Sequence, residues 1–540
     1  MENIVKTKHN YNVSEENMSL FKSVATFGGL TFISRITGFL RDMVLANLLG
    51  ASAMADAFVV AFKLPNLFRS LFAEGAFTSA FVPLFSQKLV AEGKKKSIFF
   101  AAQAISVLVV IVGLFVVLFE IGMPYVVDIL APGFYNDAGK SELAVELCRI
   151  TFPFLLLISI VSFQGGILNS FEKFAAPAAA PIILNLTMIF SAYVFVPFMP
   201  TAAHGIALGI TVAGFLEILW LNVFLRQIDV RIHPYMHIIK IMRNPEIETL
   251  FKRIAPGVIG AGIYQINMVV DTILVSLVGT GAISWLYYAN RLQQLPLGVV
   301  GAAISVALLP ILSKYLKSGD LDNARHTQDR AVEYGLLLSF PAAVLLIVLA
   351  DPIVKLLFQH GKFTQTDALM TANAVVAYSI GLPVYVMTKA LMPNFFARGD
   401  TVTPVKYGAV VFVTNLIFNL MLMRYYGHVG IAMATTISAF VSLLQYVLGL
   451  KKRGFWSFTI KLLKKMGKII VASILMGVFV LVVNNIILYC YPDYTERKIS
   501  LFAVLCFLGI IALAFFMFIA TMMSIINYRE ILQIMRRKNG

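Results

Sequence analysis

Charge is what this sequence has least of. Of its 540 residues only 13% are Asp, Glu, Lys or Arg, while 59% are apolar. A water-soluble chain of this length needs a polar exterior that such a composition cannot supply, so a soluble multidomain protein is excluded. Cysteine is scarce too. Cys148, Cys490 and Cys506 are scattered, with no metal-binding or redox spacing. There is no phosphate-cradling glycine loop, no nucleophile motif and no pair of acids beside a base, so no enzyme chemistry is expected. A cleavable signal peptide is also missing. The first 20 or so residues are polar, with Lys6, Lys8 and three acids, which leaves the first apolar run to act as its own insertion signal.

What is present is a string of apolar runs of about 20 residues or more, each long enough to cross a hydrocarbon core of roughly 30 Å as a helix. The expected fold is an all-α integral membrane protein of about fourteen transmembrane helices. The predicted spans are 24–49, 54–84, 98–121, 145–168, 178–199, 204–225, 254–279, 283–312, 331–350, 370–396, 405–423, 429–450, 469–489 and 500–525. The formal charge of +16 is read as topology and not as a nucleic-acid surface. Connections after even-numbered spans carry 23 Lys or Arg, those after odd-numbered spans carry 6, and the two tails add 3 and 4 on the richer side. The positive-inside rule then puts both termini in the cytoplasm. Two basic amphipathic stretches, His233–Arg253 and Trp456–Lys468, are predicted to lie as interfacial helices in the headgroup plane. His233 and His237 are four apart but lack a third ligand, so no metal site is read there.

The chain repeats itself. A76-F-T-S-A-F-V-P-L-F-S86 resembles A302-A-I-S-V-A-L-L-P-I-L-S313, an offset close to 228 residues. Spans 1–6 and 7–12 are therefore expected to be two copies of a six-helix unit with the same orientation, as in transporters with two pseudo-symmetric lobes. Spans 13 and 14 are extra.

Against this apolar background, S34-R-I-T-G-F-L-R-D42 stands out, with two arginines and an aspartate inside the first span. Arg35, Arg41, Lys63, Arg69, Arg291 and Lys389 lie well inside spans. Each costs at least about 2.5–3.5 kcal/mol at the bilayer centre if unpaired. Arg35 and Asp42 are seven apart and share a helix face, as do Asp56 and Lys63, and Glu74 follows Arg69. Two readings stay open at this point. The pairs lock helices together, or the surplus arginines await an anion from outside, for which guanidinium offers bidentate contacts with carboxylate or phosphate. A second embedded set, Asp271, Asn415, Asn419 and Thr435, bears oxygen. It either holds a sodium ion or hydrogen-bonds helices to one another.

The segments G38-F-L-R-D42, D56-A-F, F62-K-L-P-N-L-F-R69, F72-A-E-G-A-F-T-S-A-F-V-P83 and W285-L-Y-Y-A-N-R291 resemble the MurJ (MviN) family of bacterial lipid II flippases. The resemblance runs over nearly the whole chain. It implies membership of the superfamily that includes the MATE drug exporters and O-antigen flippases. It also implies movement of an undecaprenyl-pyrophosphate-linked peptidoglycan precursor from the cytoplasmic to the outer leaflet of the inner membrane, with no nucleic acid and no resident cofactor. The family's cavity arginines match Arg35, Arg41, Arg69 and Arg291 here, and its motif acids match Asp42 and Asp56. Lys63 and Glu74 join them in the expected substrate-binding set. The family's sodium site is similar to the set Asp271, Asn415, Asn419 and Thr435. Asn290 stands where some members carry aspartate, and Asn419 where an aspartate would bind sodium more strongly.

The expected organisation is a cytoplasmic tail (1–22), a first lobe (23–232), an interfacial linker (233–253) and a second lobe (254–453). An interfacial helix with spans 13 and 14 forms a lipid-tail groove (454–527), and a basic cytoplasmic tail ends the chain (528–540). The expected protein is a monomer that meets only lipid II and membrane lipids. Rival functions share the architecture. A flippase for another undecaprenyl-pyrophosphate-linked saccharide has the same charge logic, whereas a MATE-type cation exporter should line its cavity with acids.

Overall fold

The computed structural model describes residues 26, 28–70, 76–233, 235, 241 and 244–525. Both predicted tails, Glu74 and His237 lie outside the described residues. Among the described residues every regular element is helical and no strand occurs. A lipid-embedded backbone must satisfy its own N–H and C=O groups, and a helix does so within one segment.

Nine helices among the described residues are long and apolar enough to cross a membrane. The remaining expected spans depart from that standard for visible reasons. Helix 28–49 carries Arg35, Arg41 and Asp42. The run 54–84 falls on two helices, Ala53–Arg69 and Ala76–Glu92. The run 283–312 falls on Ala282–Pro296 and Ala302–Lys317, joined by a π turn at Leu297–Gly301. Spans 405–423 and 429–450 run as one helical stretch, Val402–Lys452, bent at Gly427. Its φ of 55° and ψ of −131° lie where only glycine rests without strain.

Contacts divide the chain into two compact units, residues 1–277 and 278–540. In the first unit Ala175–Val194 packs along Ala202–Gln227, which also packs along Phe154–Ser170. The close approach depends on small residues. A Cβ at Gly205 would sit 2.8 Å from the Val196 nitrogen, and one at Gly209 would overlap Ser191, so the G205-I-A-L-G209 pattern is a packing seam. Helix Pro245–Ser276 was expected to open the second lobe. It groups with the first unit because it packs along Ala76–Glu92 and on the turn Pro132–Phe134.

In the second unit Gln365–Leu391 is central, packed on Ala282–Pro296, Leu321–Val348 and Val402–Lys452. The last pair, Ile460–Cys490 and Lys498–Met522, closes a shared core with Leu321–Val348 that includes Leu336, Met476, Val480, Leu508 and Phe516. Outward faces of this pair stay apolar, as Ile510 and Leu513 illustrate, which suits acyl chains as solvent. The stretch Trp456–Lys468, expected as an interfacial helix, divides at Thr459. Residues from Ile460 belong to the same helix as the span that follows, capped by Thr459. Trp456 is buried and its indole N–H donates to Asp329 at 2.7 Å, while Lys465 pairs with Glu333 at 2.6 Å. Trp456 and Leu462 of this stretch are buried in protein, while Ile460 and Leu463 stay exposed. In the other expected interfacial stretch, residues from Pro245 onward already belong to helix Pro245–Ser276.

One buried ion pair fastens the first unit. Lys140, at the start of Ala138–Thr151, reaches Asp56 on Ala53–Arg69 at 2.8 Å. Both are buried, and the ammonium lies over the Phe134 ring at 4.3 Å. Removing one partner of such a pair leaves a buried charge without its counterion. Lys140→Met is therefore expected to destabilise the protein by about 3–5 kcal/mol. Adding Asp56→Asn should recover most of that loss. Thermal unfolding in detergent checks both; a double variant no better than the single one would contradict the pairing.

Candidate functional site

The first unit gathers its charges around helix 28–49. Arg41 is 3% exposed and Asp42 is fully buried. The Arg41 guanidinium donates from Nε and Nη2 to Asp42 Oδ1 at 3.0 and 2.7 Å. Its Nη1 donates to Asn185 Oδ1 at 2.9 Å, and its plane lies 4.9 Å from the Phe62 ring centroid. Asn185 itself stands on Ala175–Val194. Arg41 thus joins three helices.

The seven-residue stacking read from the sequence does not yield ion pairs. Seven residues return the side chain to one face but separate the two by about 10 Å along the axis. Asp42 takes Arg41, and Arg35 is exposed with no hydrogen bond or ion pair among the described residues. Asp56 takes Lys140 rather than Lys63. Lys63 is partly buried and lies beside a cavity of about 20 Å³, lined also by Val60, Leu64, Met268 and Thr272. Both Asp271 and Asp56 are near enough to act on its charge. Arg69 is partly buried in the last turn of its helix, where a cation complements the exposed carbonyls.

A larger cavity of about 480 Å³ in the same unit is lined by Asp128, Glu142, Glu146 and Arg149, among others. Its acids outnumber its single arginine, so it does not suit an anion.

In the second unit Arg291 is partly buried on Ala282–Pro296. Its Nη2 donates to the Tyr287 hydroxyl at 3.3 Å, and the guanidinium carbon lies 5.4 Å from that ring's centroid. Neighbouring Asn290 accepts a hydrogen bond from Gln294. Lys389 is partly buried on Gln365–Leu391.

Asn415, Asn419 and Thr435 come together across the Gly427 bend. Asn419 donates to Asn415 Oδ1 at 2.8 Å, Asn415 to Thr435 Oγ1 at 3.5 Å, and Thr435 to the Ile431 carbonyl at 3.0 Å. Their oxygens are the kind a hard cation takes, but these three residues carry no formal charge. Two of the oxygens already accept N–H groups within the chain. Asp271, the charged member of the expected set, belongs to the first unit. Among the described residues no cluster of three or more His, Cys, Asp or Glu could hold a metal.

Sequence reasoning missed Asn185 and Lys140. An amide inside an apolar span is a signal that was there to be used in A178-A-A-P-I-I-L-N185. Lys140 gave none, because it sits in a polar connection by hydropathy and enters the interior only through the fold.

Comparison with known proteins places this geometry. The MurJ family model, described as "Lipid II flippase MurJ", matches residues 45–499. A Rickettsia prowazekii (strain Madrid E) protein named "Probable lipid II flippase MurJ" is 36% identical over 514 residues, covering 95% of this chain and 99% of the relative. One of the same name from Rhizobium meliloti (strain 1021) is 38% identical over 467 residues, 85% of this chain and 86% of the relative. Among solved structures, "Lipid II flippase MurJ, inward closed conformation" superposes with a TM-score of 0.76 at 27% identity, covering 94% and 99% of the two chains. An inward-facing multidrug resistance MATE family transporter of the MOP superfamily shares the fold, at TM-score 0.66 and 15% identity over 78% of this chain and 94% of that one. On the family match and the two relatives, this chain belongs to the MurJ lipid II flippase family.

Proposed function

We propose that this protein moves lipid II from the cytoplasmic to the outer leaflet of the bacterial inner membrane, as a transporter and not an enzyme. The family match over residues 45–499 carries this reading. The proposed arrangement is fourteen spans with both termini cytoplasmic: two six-helix lobes and a final pair, Ile460–Cys490 and Lys498–Met522, that accompanies the lipid tail. The protein works as a monomer.

The headgroup enters a cationic cavity and its pyrophosphate is met by Arg41 and Arg291, with Asp42 orienting Arg41. Arg35, exposed and without an acid partner among the described residues, and Arg69 add positive field. Lys63 and the acids Asp56 and Glu74 complete the set. The lobes then rock, and the headgroup is released outside. Support for an anionic cargo comes from the chemistry of the set. Within that set Arg35, Arg41, Lys63, Arg69 and Arg291 outnumber Asp42, Asp56 and Glu74, the reverse of what a cation exporter needs.

The membrane potential, negative inside, favours outward movement of an anion. At about 2.3 kcal/mol per charge per 100 mV, two phosphate charges give roughly 4–5 kcal/mol. Arginines that neutralise the bound headgroup reduce this term, and the empty cationic cavity is drawn back by the same field. Sodium held by oxygens of Asp271, Asn415, Asn419 and Thr435 is the proposed coupling ion. Sodium would supply a positive charge near neutral amides that now bond one another.

In a bacterium depleted of its own flippase, the wild-type protein should restore growth, while Arg41→Ala and Arg291→Ala should fail at normal membrane abundance. Rescue by both variants would make these arginines structural, and failure of the wild type would favour another undecaprenyl-pyrophosphate-linked saccharide as cargo. In vesicles at fixed sodium, collapsing the potential should slow transport several-fold; an unchanged rate would remove the potential as a driver.

A further inference from the structure

Among the contacts of Arg41, one is notable for a charge held inside a membrane span. Asp42 binds the Nε–Nη2 edge, Phe62 covers a face, and a neutral amide, Asn185, takes Nη1. A buried arginine could be held by a second carboxylate, which would bind it more strongly. The amide position is well determined. Arg41 can only donate, so Asn185 must present its oxygen there. Its Nδ2 then donates backward to the Ser34 carbonyl at 3.1 Å and to Thr37 Oγ1 at 3.2 Å. Thr37 donates in turn to the Ser34 carbonyl at 3.1 Å. Gly38 makes room, since a Cβ there would lie 3.3 Å from Asn185 Nδ2. Asn185 is 5% exposed and bonds helix 28–49 on both sides of Gly38.

The charge arithmetic gives this choice a consequence. Arg41 and Asp42 carry opposite unit charges, and a neutral amide beside them leaves that sum unchanged. With a carboxylate at position 185 the group would become net negative, and at low local dielectric that charge would act strongly on any phosphate nearby. With an apolar residue there, the guanidinium would keep its charge but lose one of the bonds that set its plane. An amide fixes the plane and leaves the charge balance alone.

We propose that Asn185 is the neutral positioning residue of the anion site: it sets the plane of the Arg41 guanidinium for a pyrophosphate without adding a negative charge beside it. This rests on the reading of Arg41 as a ligand for the lipid-linked pyrophosphate.

The test is binding of farnesyl pyrophosphate to the full-length protein in detergent, with farnesol as the uncharged control, alongside thermal unfolding. The variants are Arg41→Ala, Asn185→Asp, Asn185→Leu and Thr37→Val. Arg41→Ala should weaken binding more than tenfold. Asn185→Asp, which keeps an acceptor for Arg41 but adds charge, should weaken it more than tenfold. Asn185→Leu should weaken it severalfold, less than the aspartate does. Thr37→Val, which touches Asn185 but not Arg41, should lower the unfolding temperature and leave affinity within twofold. Farnesol should be insensitive to all four. A residue that only clasps helices predicts the reverse order, with the aspartate variant closer to wild type than the leucine one. That order, or unchanged affinity in both Asn185 variants beside a weakened Arg41→Ala, overturns the positioning role alone. Wild-type affinity in Arg41→Ala overturns the underlying reading of Arg41 as well. The leucine variant keeps the test decisive if the aspartate variant does not fold, because unchanged affinity there also defeats the proposal.

Discussion

A charge inside a membrane span has no water to fall back on, so the protein must supply its partner. Much of what is specific in this fold follows from that constraint. Arg41 draws Asn185 to helix 28–49 and Phe62 over its face, and Asp56 draws Lys140 inward from a polar connection. In each case the partner comes from a different helix. A helix that carried only leucine could slide or rotate against its neighbours at little cost. One that carries a buried guanidinium has its register fixed, since a shift of one residue would turn the group by about 100° away from its acceptor.

The apolar packing adds close approach without direction. Between Ala175–Val194 and Ala202–Gln227 the glycines at 205 and 209 bring backbones together, and dispersion contacts do the rest. In the second unit the same division recurs. A long apolar core joins the last two helices to Leu321–Val348, and polar fasteners sit at its rim, with Trp456 on Asp329 and Lys465 on Glu333. The bend at Gly427 is set against a hydrogen-bonded chain of two asparagines and a threonine, so the two halves of Val402–Lys452 are tied to each other although the backbone turns there.

Helix existence was legible because a span is announced by length and apolarity alone, and runs such as 98–121 and 469–489 have little else in them. Partner identity was not. Spacing within one helix tells which residues share a face but not what lies opposite, and it says nothing about reach. Arg35 and Asp42 share a face, as do Lys63 and Asp56, yet seven residues set each pair about 10 Å apart along the axis. The segment Trp456–Lys468 shows the same limit: its basic and apolar residues fit a headgroup layer and a protein groove equally well, and the bonds of Trp456 to Asp329 and of Lys465 to Glu333, more than a hundred residues away, come only from the fold. The cationic character of the candidate set is a count, five cations against Asp42, Asp56 and Glu74, and holds whatever the pairing.

Where the pairs lie also bears on movement. Arg41 with Asn185 and Asp56 with Lys140 are internal to the first unit. The Asn415–Asn419–Thr435 chain and the fasteners of Trp456 and Lys465 are internal to the second. Buried bonds of this kind, above all the charge-assisted ones, are costly to break and remake in each cycle. A transporter that rocks rigid bodies does not need to break them, because each body carries its own pairs intact.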